Sequence, residues 1–263
     1  MNANTPVFAV HLLNMGIMPE CPTTGVKMHT GLESFQPWAY TGLVAKSDDT
    51  TVVINTGFPL DMQPVQAFFA AWHSRCHVER SEDRTMDGHL QRLGIAPGDV
   101  DHLLLSCLGP YSTGRVELFE RCPIHIGRAE WVDYHAPPPN FPPQPRDTII
   151  PPQTLSRLVF EDWPRVNLLE DEDEICPGIR VFRTGGHHAG SLAVAINTRM
   201  GTLIYADTLF TYENYEQNIP IGFFRDQDAF HAAVRRIRRE ADLIVPFFDP
   251  VAFERYPDGV VTR

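Results

Sequence analysis

Residues 101–114 read DHLLLSCLGPYSTG, and the interpretation of this stretch decides the fold. Three leucines make a short apolar run, bounded by an aspartate and a Cys-Leu-Gly-Pro turn. A run of that length between turn residues reads as a buried strand that delivers a loop. In open α/β sheets, sites gather just beyond the carboxyl ends of such strands. The loop here carries Cys107, Tyr111 and Ser112, with Gly109 among them.

The same pattern recurs outward along the chain. TTVVINTG (50–57), FRTGGHHAGS (182–191), LIYADT (203–208) and LIVPFFDP (243–250) each pass from aliphatic residues into a turn. Helices alternate with them. SEDRTMDGHLQRLG (81–94) opens on a Ser cap, sets Met86, Leu90 and Leu93 on one face, and stops at Gly94. Residues 227–241 place Phe230, Ala233, Val234 and Ile237 at helical spacing. This alternation makes the class α/β, and one domain spanning 1–263 is the simplest organisation.

Composition excludes several functions. A formal charge of −11 argues against a phosphate-backbone binder, so no nucleic-acid partner is expected. The basic run VRRIRRE (234–240) interleaves with apolar positions and reads as a solvated helix face. The acidic LLEDEDEI (168–175) reads as a solvated loop or turn. No stretch approaches the roughly 20 apolar residues of a membrane span. The start lacks a charged segment leading into a long apolar core, so no secretion signal is read there. Cysteines at 21, 76, 107, 122 and 176 are scattered and odd in number, which suits free thiols in a reducing cytoplasm. The proline-rich APPPNFPPQPRDTIIPPQ (136–153) is read as irregular, because proline removes donors and fixes φ.

Taken in order, these motifs resemble the metallo-β-lactamase fold and, within it, the N-acyl-homoserine lactonase-like group. VVINTG stands where the family has a strand ending D-T-G, and the 101–114 stretch where it has a strand followed by H-x-H-x-D-H-x-G. FRTGGHHAGS matches the T-P-G-H turn, LIYADT the strand ending in the bridging Asp, and LIVPFFDP the closing strand. TYENYEQNIPIGFFRDQDAF (211–230) is similar to the lactonases' link between the last two. The resemblance covers about residues 7–257. It implies a four-layer αββα sandwich, with two mixed β-sheets face to face and helices outside. It also implies that segments 21–40 and 136–153 shape the substrate pocket or pair across a homodimer.

Carried over position by position, the family's first metal site falls on Cys107, Gly109 and His187. The second falls on Tyr111, Ser112 and Phe248, and the bridging aspartate is Asp207. The tyrosine that polarises the substrate carbonyl falls at Phe210, and the supporting aspartate of D-T-G is Asn55. The dinuclear zinc centre is therefore expected to be missing, and no cofactor is expected. The leading expectation is a metal-independent enzyme acting on a small, partly apolar carbonyl compound such as a lactone or ester. Cys107 beside His187, with Asp207 orienting the imidazole, follows the logic of an activated thiolate. Tyr111 and Ser112 would stabilise an oxyanion or act as acid and base. Phe210, Phe223, Phe248 and His188 would bind substrate. Alternatively, Cys107, His187 and Asp207 hold one zinc or other divalent ion. A third reading keeps the scaffold as a ligand-binding protein without turnover, in which Cys107 is a small buried hydrophobe. His73, Cys76 and His77 lack a zinc spacing, His29 and His89 read as structural or exposed, and Asp249 reads equally as a helix cap or as an acting group.

Overall fold

The computed structural model describes residues 5–139 and 145–263. In chain order the strands are β1 (Ala9–Pro22), β2 (Phe35–Lys46), β3 (Thr51–Ile54), β4 (His102–Leu105), β5 (Ile124–Gly127) and β6 (Val166–Leu169). There follow β7 (Glu172–Cys176), β8 (Ile179–Arg183), β9 (Leu192–Thr198), β10 (Gly201–Ala206), β11 (Leu243–Pro246) and β12 (Val260–Thr262). One sheet runs β12-β1-β2-β3-β4-β5-β6 and the other β11-β10-β9-β8-β7. Strands buried on both faces must be apolar throughout. Accordingly Val53, Ile54, Leu103 and Leu104, on the central parallel pair β3–β4, are fully buried.

Both sheets mix parallel and antiparallel pairs, and the chain has the αββα sandwich that the motif order implies. Their inner faces are stitched by polar contacts as well as apolar ones. Thr41 Oγ1 on β2 donates to the Phe247 carbonyl beyond β11 at 2.6 Å, and Tyr205 OH on β10 donates to the Thr41 carbonyl at 3.0 Å. Because β3, β4, β8, β10 and β11 end on the same side, their following loops meet there.

Several local expectations are corrected. The 81–94 segment is a short turn at Glu82–Arg84 followed by a helix at Met86–Leu93. Thr85, in extended conformation, interrupts it and becomes the cap, accepting from Gly88 N at 3.2 Å. Gly94 does end the helix, at φ +65°. LLEDEDEI is not a loop: it holds the end of β6 and most of β7, an edge strand whose acidic side chains face solvent and discourage further pairing. The proline-rich segment contains helical turns at Arg146–Ile149 and Pro152–Ser156, since proline is tolerated in a first turn. Residues 140–144 of that segment lie outside the described residues. Among the described residues no helix is long and apolar enough to cross a membrane.

Candidate active site at the strand ends

Asn55 opens the site. It follows β3 at φ +63°, and its side chain grips the start of the next motif. Its Oδ1 accepts from Ser106 N at 3.0 Å and its Nδ2 donates to Ser106 Oγ at 3.0 Å. The Cys107–Ser112 turn is then closed by Ser112, whose Oγ donates to the Cys107 carbonyl at 2.8 Å and accepts from Gly109 N at 2.9 Å. The Ser112 hydroxyl is thus engaged with backbone and fully buried.

Tyr111 turns its ring inward, against Tyr40, Phe247 and Phe248. Gly109 makes this possible, because a Cβ there would lie 2.8 Å from the Tyr111 ring. The phenol hydroxyl ends between two imidazoles, 3.3 Å from His187 Nε2 and 3.1 Å from His188 Nε2. These histidines come from the β8–β9 turn, which Gly185 and Gly186 form at φ +59° and +76°. His187 Nδ1 lies 2.7 Å from the Phe223 carbonyl. A carbonyl only accepts, so Nδ1 carries the proton and Nε2 is a bare acceptor. Burial, and then the neighbouring His188, hold His187 well below the usual imidazole range; burial and Arg225 lower His188 to about 4. Both rings are therefore neutral near pH 7.

Behind them sit the remaining groups. Asp207, after β10, accepts from Ser191 Oγ at 2.9 Å through Oδ2, while its buried Oδ1 makes no hydrogen bond. Burial pushes its carboxyl up to about 8, the Ser191 bond opposes this, and the nearby Glu130 adds to it. Burial, together with the Asp207 and Glu130 carboxylates, pushes the Cys107 thiol far above the usual range. A thiol in that setting is not a thiolate, and it lies against Asp207 rather than an imidazole.

The expected Cys107–His187–Asp207 chain is therefore not formed. His187 spends its nitrogens on Phe223 and Tyr111, and Asp207 is tied to Ser191. Phe210 and Phe248, expected against substrate, are 0% and 1% exposed and packed on Trp38. Phe223 and His188 do reach the surface, and His188 lines a groove of about 670 Å³ with Arg183, Gly185, Gly186, Arg225 and Ala229. Asp249 accepts from Tyr212 N and Val251 N, a structural use. His89 is likewise structural, 2.8 Å from the Asn14 carbonyl.

One group escapes a reading of the sequence. Glu130, in the first turn of the Arg128–His135 helix, is only 5% exposed. Its Oε1 accepts from Leu108 N at 3.2 Å and its Oε2 from Gly190 N at 2.8 Å; Oε1 also lies 3.7 Å from His188 Nδ1. Burial pushes this carboxyl up to about 7. GRAEW matches no motif, and the partners are 22 and 60 residues away, so nothing local marks it.

No family model matches the chain. An N-acyl homoserine lactonase of Bacillus cereus is 23% identical over 205 residues, 76% of this chain and 74% of that protein. Another N-acyl homoserine lactonase, of Agrobacterium fabrum, is 27% identical over 160 residues, 58% of this chain and 56% of its own. A solved N-acyl homoserine lactone hydrolase, with its product at "the catalytic metal center", superposes at a TM-score of 0.77 with 17% identity, covering 95% of this chain and 96% of that one. A dizinc quorum-quenching lactonase superposes at 0.66 with 14% identity, covering 94% and 89%.

These likenesses overturn the expectation of no cofactor, because one of these structures has a catalytic metal center and another is a dizinc lactonase. The side chains set there in this chain fit a two-ion centre poorly. Gly109 and Phe248 offer no donor, Ser112 is engaged with backbone, and the Tyr111 ring fills the space beside Gly109. Among the described residues no three His, Cys, Asp or Glu side chains converge to hold a metal ion, so Cys107, His187 and Asp207 do not form the alternative single-ion set either. The unpartnered Asp207 Oδ1 is the feature a cation would match.

Proposed function

From the premise that the chain is a lactonase-like member of the metallo-β-lactamase fold superfamily, we propose that it is a hydrolase opening a small, partly apolar lactone or ester beside Tyr111, His187 and His188. The observation that carries this reading is the buried Tyr111 hydroxyl held between two neutral imidazoles, one of which, His188, lines the groove. His187 Nε2, bare and neutral, takes a proton from water as the water oxygen bonds to the acyl carbon. The Tyr111 O–H turns from the imidazoles toward the oxygen that gains charge, and the proton held on His187 passes to the leaving alkoxide as the acyl C–O bond breaks. Asp207, Cys107 and Ser112, sealed beneath, hold the two loops in register. Phe223 supplies the carbonyl that orients His187. The two-ion centre of the dizinc relatives is not reproduced in this reading. The free cysteines support a reducing compartment such as the cytoplasm as the place of action.

The test assays N-acyl homoserine lactones, the substrates in the relatives' names, and simple aryl esters, with elemental analysis on the same preparation. Wild type is expected to turn over at least one of them, with less than a full pair of metal ions per chain. Tyr111→Phe should lower kcat by about 10²–10³-fold, within the range of general acid–base catalysis. No turnover of either class, or an unimpaired Tyr111→Phe enzyme, would sink the reading. A stoichiometric metal pair would sink the part concerning the centre.

A further inference from the structure

We propose that Glu130 is a positioning residue that ties the Tyr111 loop to the His188 loop and holds His188 as its Nδ1–H tautomer. Two bare Nε2 atoms then face one phenol. The inference rests on the hydrolase reading for its catalytic meaning, but its structural content stands apart from activity.

The carboxylate divides itself between the two loops. Oε1 takes the Leu108 amide, three residues before Tyr111, and Oε2 takes the Gly190 amide, two residues after His188. Charge-assisted bonds of this kind are roughly twice as strong as neutral ones. The glycine at 190 is required, because a Cβ there would lie 2.1 Å from Glu130 N and 2.6 Å from its Cα. The start of the helix therefore seats directly on the histidine turn. His188 is caught between this carboxylate, 3.7 Å from Nδ1, and the phenol, 3.1 Å from Nε2. In a buried setting a carboxylate draws the ring proton to the nearer nitrogen. His187 reaches the same tautomer independently, through the Phe223 carbonyl. The phenol proton thus has two acceptors, and the geometry makes Tyr111 the donor. A glutamine at 130 could not substitute, because its amide group would turn a donor toward one of the two backbone N–H groups.

The full-length protein, labelled with ¹⁵N-histidine and followed by long-range ¹⁵N–¹H correlation at mildly alkaline pH, tests this. Resonances are assigned with His187→Asn and His188→Asn. Both rings are expected as Nδ1–H tautomers in wild type. Glu130→Gln should shift His188 toward Nε2–H while leaving His187 unchanged, and should lower kcat about tenfold with KM altered less than about twofold. Glu130→Asp, which keeps the charge but shortens the reach, should fall between. An Nε2–H His188 in wild type overturns the proposal, even if neither variant folds. So does a Glu130→Gln spectrum identical to wild type. Absence of turnover in wild type would instead remove the hydrolase reading and leave the tautomer assignment standing.

Discussion

Asp207 keeps its proton where an exposed aspartate would lose it. Its carboxyl is pushed up to about 8 by burial, whereas an aspartate in the unfolded chain titrates near 4. As pH rises between these values the unfolded chain releases the proton and the folded chain retains it. The stabilisation is therefore whole below about pH 4 and lost as pH approaches 8. His188, lowered to about 4, acts with the opposite sign, and its share is lost as pH falls from about 6.5. In chelator, wild type should lose Tm relative to Asp207→Asn as pH rises from 5 to 8. A domain of this size loses about 2–4 °C per kcal/mol. Melting curves that run parallel for the two proteins would contradict this linkage. At this scale the sequence marks Asp207, His187, His188 and Tyr111 as residues beyond strand ends. Their partners are not legible, because the hydrogen bonds from Tyr111 reach residues 76 and 77 positions away.

Elements are held by close backbone approaches as much as by side chains. The Arg128–His135 helix begins against Gly190, where even one methyl group collides with backbone. Gly190→Ala should therefore destabilise the fold by about 1–3 kcal/mol, as overpacking does. Gly98 has nothing within 4 Å of an added Cβ, so Gly98→Ala should be neutral or gain about 0.4–1 kcal/mol. Urea midpoints of the two variants give the comparison, and equal midpoints would remove the proposed seat. Legibility in the sequence also varies by element. The Gln227–Glu240 helix buries Phe230, Ala233, Val234 and Ile237, as its spacing requires. The fourteen-residue β1 is hidden, because its register shifts near Gly16 and breaks the period-two alternation that would reveal it.

Across the whole molecule, the two sheets and the site share one aromatic core. Trp38 on β2 lies 4.4 Å from Phe248, 5.0 Å from Phe210 and 5.9 Å from both Tyr40 and Phe223, counted between ring centres. This packing closes the space behind Tyr111 and supports the Phe223 segment that orients His187. Trp38→Ala should cost about 3–5 kcal/mol in denaturant melts and weaken lactone or ester turnover as well. A loss below about 1 kcal/mol would mean that this core does not hold the sheets together.

Apolar runs, their order and the turn residues after them determine the sandwich, since burial on both faces and chain reversal are short-range demands that composition must meet. Residue types at the strand ends likewise determine that Gly109 and Phe248 bring no metal donor. Only the tertiary structure decides that Tyr111 swings its ring over Gly109, that Phe210 and Phe248 are sealed, and that Glu130 bridges two loops. Those outcomes depend on which distant groups exclude water from one another, and no local window of sequence contains that geometry.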